Sequence, residues 1–255
     1  MSRVLITGAS RGIGRGVAEE LTARGYEVIA TARDVSTLTD VPAAERLQLD
    51  VTDEGSVSAA VAAAGRIDAL VSNAGATVRA PMETVPVAEV RKLFDLNTFG
   101  ALRIAQAVMP GMRERGAGRL IFLSSIQGRI AIPLIGAYAA SKWALEAIAE
   151  TLAIEAARFG ISVHLLEPGA VSSGGAERAK VFLDDGNPYR PLLDQLKGFR
   201  SDPVTVQEVA GAVALALEDA GSPLRIPVGA AAGRILAARK SAPEDEPFLA
   251  APLDW

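Results

Sequence analysis

The sequence predicts an α/β chain in a single domain, built on a doubly wound parallel sheet of about seven strands with helices on both faces. Three observations carry that prediction. Short, nearly continuous apolar runs alternate with longer helix-like segments along most of the chain, as strands buried on both faces do. The first apolar run passes into a helix through the glycine-rich loop "TGASRGIG". Finally, 255 residues with 49% hydrophobic content suit one domain with a full core, and neither a low-complexity linker nor an internal repeat interrupts them.

The elements follow in order. Residues 4–6 read as the first strand and 13–23 as a helix. Residues 26–31 are a second strand, 47–49 a third, and 54–64 an alanine-rich helix. A strand at 67–72 precedes a long helix at 87–115, which Pro110 is expected to kink or end. Strand 120–124, amphipathic helix 138–159 and strand 161–166 come next, then helix 206–219 and a last short strand at 224–226. Two segments break the rhythm. Residues 174–200 begin Gly174-Gly175, carry Phe182, Tyr189 and Phe199, and read as a lid-like insertion over a substrate; residues 241–255, "SAPEDEPFLAAPLDW", read as a tail whose Glu244–Glu246 run is solvated.

Composition excludes several classes. A net charge of -4 and a pI near 5.2 give no field to attract nucleic acid or an anionic membrane. With no cysteine there is no disulfide framework and no thiolate chemistry. The lone histidine, His164, argues against a histidine-built metal centre and reads as a core residue; no metal is expected. The opening "MSRVLITGAS" lacks the apolar core of a signal peptide, and no apolar run reaches the roughly 18 residues needed to cross a bilayer. A cytoplasmic protein is expected.

The glycine loop points to a nucleotide. Where a strand turns abruptly into a helix, backbone N–H groups and the positive helix end face outward, and glycines let a pyrophosphate approach closely. The spacing here is Gly8-x-x-x-Gly12-x-Gly14, after Thr7. The end of the second strand then meets the adenosine ribose. An acid there selects NAD, whereas arginine pairs with the 2′-phosphate of NADP. The residues are Thr31-Ala32-Arg33-Asp34: alanine stands where the acid is expected, Arg33 follows it, and Arg11 in the loop offers a second cation. NADP is therefore expected over NAD, with Asp34 as the competing ribose contact.

Further motifs give the chain a family resemblance. "TGASRGIG", Asp50 in "LQLDVTD", "SNAG" at residues 72–75, Asn97 in "DLNTFG", Ser125 in "LIFLSSIQG", the "YAASK" of Tyr138 to Lys142, and "PGAVSS" occur in one order along almost the whole length. In this set the chain resembles the classical short-chain dehydrogenases/reductases, which implies a Rossmann-like fold. The resemblance puts NADP against Gly8, Ser10, Arg11, Gly12, Ile13, Gly14, Arg33, Asp50, Val51, Asn73, Ala74 and Gly75. It adds Tyr138, Lys142, Pro168, Gly169, Val171 and Ser173, the last standing where threonine is more usual. It also assigns Asn97, Ser125, Tyr138 and Lys142 to catalysis, with Asn97 holding a water that relays protons from Lys142.

The chemistry stands on the residues as well. Tyr138 and Lys142 are four apart and share a helix face. An ammonium about 4 Å from the phenol, at an effective dielectric of about 20, would favour phenolate by about 4 kcal/mol, or about 3 pKa units. Tyr138 would then exchange a proton near pH 7 as general acid or base. Ser125, at the carboxyl end of a strand, would hydrogen-bond a substrate oxygen as charge develops on it; only the family spacing selects it over Ser124. The reading is an NADP(H)-dependent oxidoreductase acting on a carbonyl or secondary alcohol of a mainly apolar small molecule, steroid- or retinol-like. Phe182, Leu183, Tyr189, Leu192 and Leu193 would form an apolar wall, and Arg178 or Arg190 would meet a polar group. The alternatives are an NAD-preferring relative, an epimerase or dehydratase on the same fold, and a non-catalytic nucleotide sensor. The resemblance also implies a homodimer or homotetramer assembled through the helices at 87–115 and 138–159.

Overall fold

The computed structural model describes residues 2–175, 177–184, 186–193, 203–219 and 221–248. Its main sheet uses seven parallel strands: β1 (Arg3–Ile6), β2 (Glu27–Ala32), β3 (Glu45–Gln48), β4 (Ala69–Ser72), β6 (Gly118–Leu123), β7 (Ile161–Pro168) and β9 (Arg225–Val228). Their order is β3-β2-β1-β4-β6-β7-β9, so the winding reverses between β1 and β4. Ligands of open α/β sheets bind outside the carboxyl ends of the strands at such a reversal.

Alternation along each strand divides the core into two layers. In β6, Ile121 and Leu123 pack on one face of the sheet, among Val17 and Leu21 of α1 (Gly12–Ala23) and Val209 and Val213 of α6 (Val206–Glu218). Leu120 and Phe122 pack on the other, among Val57 of α2 (Glu54–Ala64), Ile104 and Met112 of α4 (Gly100–Arg115) and Leu145 of α5 (Gly136–Ala156). Full burial of each such side chain contributes about 1.5–3 kcal/mol. Local signals start the helices: Asp53 accepts from Ser56 N at 2.6 Å ahead of α2. Thr205 and Glu208 form a capping box ahead of α6.

The helix expected over 87–115 is not one regular helix. α3 (Val87–Phe94) passes into a π-helical turn, Asp95–Phe99, and only then into α4. Pro110 does not end it; α4 continues to Arg115, with Pro110 on the exposed side, where the carbonyl left without its amide partner can be hydrated. Three elements were not anticipated. β5 (Val78–Arg79) pairs in parallel with β8 (Lys180–Val181), tying the excursion after β7 to the loop after β4. α7 (Ala230–Ser241) follows Gly229, whose φ of +94° makes the turn out of β9.

Part of the predicted lid, including Phe199, and the end of the tail lie outside the described residues. Of the described part, Phe182 packs against Val78, Val85 and Leu93. Leu183, Leu192, Leu193 and Tyr189 gather around Leu134. Phe248 folds onto Ile126, Ile130 and Ala232, while Glu244, Asp245 and Glu246 are exposed. His164 is buried in β7 between Pro223 O (Nδ1, 3.0 Å) and Ser162 Oγ (Nε2, 3.2 Å), a core role. Among the described residues no helix is long and apolar enough to cross a membrane.

Candidate active site

The glycine loop lies at the carboxyl ends of β1 and β4 and is held by its neighbours. Thr7 Oγ1 accepts from Asn73 N (2.9 Å) and Ala74 N (3.0 Å), and Asn73 Nδ2 donates to Thr7 O (2.9 Å) and Gly8 O (3.1 Å). The "SNAG" turn is thus clamped to "TGAS". Gly8 and Gly12 have φ of +68° and +54°, a region costly to other residues. A methyl on Gly14 would stand 2.3 Å from Gly8 O, so helix and loop can approach this closely only with glycine there. Arg11 is the N-cap of α1 and makes no side-chain cap, which leaves the first turn of N–H groups for an anion. Across the cleft, a methyl on Gly12 would reach Ser173 Cβ at 3.4 Å. The segment Pro168–Ser173 therefore faces the loop; it is fixed by Gly169 N to Val228 O (3.3 Å), Val204 N to Ala170 O (2.7 Å) and a Val171–Val204 bridge.

Arg33 immediately follows β2 and is exposed, with Asp50 within electrostatic reach. Asp34 caps the turn Val35–Leu38: its Oδ1 accepts from Ser36 N (3.0 Å) and Ser36 Oγ (2.7 Å), which hold its carboxyl below the usual range. Burial pushes the Asp50 carboxyl up, but the hydrogen bonds from Thr52 and the charge of Arg33 outweigh it and leave it lowered. Val51 is buried against Gly100, and Ile13 packs at the margin of the core.

At the carboxyl end of β6, Ser125 begins the turn Ile126–Gly128; its Oγ accepts from Gln127 N at 3.2 Å and shares a hydrogen bond with Tyr138. Ser125 is thus the serine beside Tyr138, whereas the Ser124 hydroxyl is buried without a partner. Tyr138 and Lys142 sit on the first and second turns of α5, as their spacing requires. Lys142 Nζ donates to Leu123 O at 2.7 Å and stands 5.7 Å from the centre of the Tyr138 ring. Burial consequently dominates both groups: it pushes the Tyr138 phenol up to about 12, only partly opposed by the Ser125 hydrogen bond, and pushes Lys142 down to about 8 against the pull of Glu146. The anticipated drop in the tyrosine's pKa is thus reversed in this structure.

Asn97 lies buried in the π-helical turn. Its Oδ1 accepts from Ala76 N (2.9 Å), and its Nδ2 donates to Ala76 O (2.9 Å) and Ser141 Oγ (3.0 Å). The side chain thus braces the loop after β4 against α5. Arg178 and Arg190 donate to carbonyls of their own segment, Ser173 O (3.0 Å) and Leu183 O (3.5 Å). A cavity of about 440 Å³, lined by Met82, Ile130, Pro133, Leu134, Trp143 and Phe248, opens beside Gly136, two residues before Tyr138. Sequence reasoning missed Gln127, Ser141 and two buried acids, Glu146 and Glu167; a glutamate directly before Pro168-Gly169 was the one visible signal.

The family model described as short chain dehydrogenase matches residues 2–181. The chain belongs to the short-chain dehydrogenase family. The chain is 40% identical over 181 residues to retinol dehydrogenase 8 of Homo sapiens, a match covering 66% of the chain and 58% of that protein. A short-chain dehydrogenase from Streptomyces avermitilis superposes with a TM-score of 0.85 at 36% identity, over 94% of this chain and 92% of that one. Another from Burkholderia cenocepacia, solved in complex with NADP, gives 0.79 at 28% identity over 94% of each chain.

Proposed function

We propose that the chain is an NADP(H)-dependent oxidoreductase that interconverts a carbonyl and a secondary alcohol on a mainly apolar small molecule. The observation that carries this reading is the Ser125–Tyr138–Lys142 cluster at the same sheet edge as the glycine loop. The residues fit the cofactor: the uncapped start of α1 suits a pyrophosphate, and Gly14 lets α1 pack closely against the loop that would hold it. Arg33 supports the phosphorylated form, because Asp34 spends its carboxylate on Ser36. The NADP complex of the Burkholderia relative agrees.

A nicotinamide held there would supply the hydride for the carbonyl carbon. Tyr138 then gives its hydroxyl proton to the carbonyl oxygen and is left as phenolate, while Ser125 Oγ hydrogen-bonds that oxygen as charge develops. A phenol raised by burial keeps its proton at neutral pH and can give it to the carbonyl oxygen; alcohol oxidation requires the phenolate. Lys142, near 8, can give up a proton in the physiological range to restore the tyrosine. Asn97, its amide engaged with Ala76 and Ser141, holds the loop after β4 beside the helix that carries Tyr138 and Lys142. The apolar cavity beside Gly136 supports an apolar substrate, as does the name of the human relative. Phe99, Trp143 and Ile154, exposed at 48%, 46% and 75% on the two helical segments expected to associate, support a homo-oligomer.

The test is turnover of retinol and other apolar alcohols with NADP⁺, and of the matching carbonyls with NADPH, by the wild type and Tyr138→Phe. The variant is expected to lose about 10²–10⁴-fold in kcat with NADPH binding retained. NADPH binding without turnover of any such compound would overturn the reading in favour of a nucleotide sensor.

A further inference from the structure

Behind the Ser125–Tyr138–Lys142 cluster lies a second polar group that this chemistry does not use. Leu123 of β6 and Leu166 of β7 are paired in register and belong to the same core layer. Ser124 and Glu167, one residue further along each strand, therefore point to the opposite face, toward α5. From α5, Glu146 enters the same space one turn beyond Lys142. Gly128 covers it so closely that a methyl there would lie 2.8 Å from Ser124 Oγ and 3.1 Å from Glu146 Oε1. Glu146 is 4% exposed and Glu167 1%.

The hydrogen bonds in this group do not close. Glu146 Oε2 accepts from Arg225 Nε at 2.8 Å. Glu146 Oε1, Glu167 Oε1 and Ser124 Oγ are all buried without a partner. Arg129, from the turn after β6, brings its guanidinium only to 3.7 Å from Glu167 Oε1 and is itself partly exposed. Arg225, from β9, is divided between Glu146 and the exposed Glu150 at 2.7 Å. Lys142, one turn before Glu146 on α5, faces that acid. Two carboxylates buried in one site do not both ionise, because each raises the cost of charging the other. Burial first, and the charge of Glu146 second, push Glu167 up to about 7. One added proton supplies the donor that the unpartnered oxygens lack.

We propose that Glu146 and Glu167 hold a single proton between them and that this carboxyl–carboxylate pair is a positioning unit that sets the charge of Lys142. The proposal rests on the assignment of Lys142 to the catalytic cluster, but its test needs neither cofactor nor substrate. At neutral pH the pair carries one negative charge. When it releases its proton it carries two, and holds Lys142 as ammonium against the burial that would neutralise it.

Infrared spectra of the cofactor-free protein, taken between pH 6 and 9, test the shared proton. The wild type should show the carbonyl stretch of a buried carboxylic acid at pH 6 and lose it as pH passes about 7–8; Glu167→Gln should lack the band. Absence of the band from the wild type, or its survival unchanged in Glu167→Gln, overturns the proposal. NMR titration of Cε-labelled lysine, with Lys142 assigned by its loss in Lys142→Met, tests the coupling. Glu146→Gln should lower the Lys142 midpoint by about one to two pH units, the effect of a unit charge about 6 Å away at an effective dielectric of about 20. An unmoved midpoint in a folded Glu146→Gln protein overturns the positioning role, since a purely structural residue would not shift it. Failure of turnover, by contrast, bears only on the oxidoreductase reading.

Discussion

Gly14→Ala tests the cofactor cradle most directly, because the clash is set by atoms the cradle cannot spare. The new methyl would stand 2.3 Å from Gly8 O and 2.5 Å from Asn73 Nδ2, about 1 Å inside ordinary contact. Those two atoms are themselves hydrogen-bonded at 3.1 Å, and Asn73 Nδ2 also holds Thr7 O at 2.9 Å. Relief must move the Gly8 carbonyl, the Asn73 amide or the start of α1. Overpacking costs about 1–3 kcal/mol, and loss of one or two hydrogen bonds about 1 kcal/mol each. Alanine's better helix propensity returns about 1 kcal/mol. The net loss is about 1–4 kcal/mol, which lowers Tm by about 2–15 °C for a domain of this size. Gly211, inside α6 with nothing within 4 Å of an added methyl, is the control: Gly211→Ala should stabilise by about 0.5–1 kcal/mol. Thermal unfolding reads the stability of both, and NADPH fluorescence titration should show weakened binding for Gly14→Ala alone. A Gly14→Ala protein with wild-type Tm and wild-type NADPH affinity would refute the close approach and with it the cradle.

Three further outcomes follow from the site and its surroundings. Arg33→Ala should weaken NADPH by about 10- to 150-fold, the loss of a charged hydrogen bond worth about 1.5–3 kcal/mol, and barely change NADH; equal loss for both cofactors in parallel titrations removes Arg33 from the 2′-phosphate. Lys142 is held at about 8 against an ordinary 10.5, so between those values the unfolded chain keeps a proton that the folded chain releases, and stability rises with pH across that window. Lys142→Met should flatten this rise in the urea midpoint between pH 8 and 10, and a slope equal to the wild type's would contradict the burial argument. Ile154→Asp, at the most exposed large apolar position on α5, should yield a smaller species by light scattering if that helix carries the association; an unchanged mass places the interface elsewhere.

What the sequence made legible, and what it hid, divide along physical lines. The inner strands of the sheet were readable because burial on both faces leaves almost no polar residue in runs such as "LIFL" and "ALVS". The glycine loop was readable because positive φ and close approach admit one residue type. α7 was not, since Ala232 is its one buried residue and no apolar stripe marks a helix face. The two-residue pairing of β5 with β8 is too short to leave a period, and the π-helical turn at Asp95–Phe99 carries the same residue types as the helices around it. The instructive case is Tyr138 and Lys142. Their spacing fixed a shared helix face, and the structure keeps it. It could not fix where the ammonium points, which depends on Leu123 O at the end of a strand nineteen residues earlier. Nor could it reveal that Glu146 and Glu167, distant in sequence, stand behind the lysine. Spacing of four along a helix therefore establishes which groups can act together. Their protonation states are set by burial and by the groups packed around them, here Ser125 at the end of β6 and Glu146 one turn further along α5.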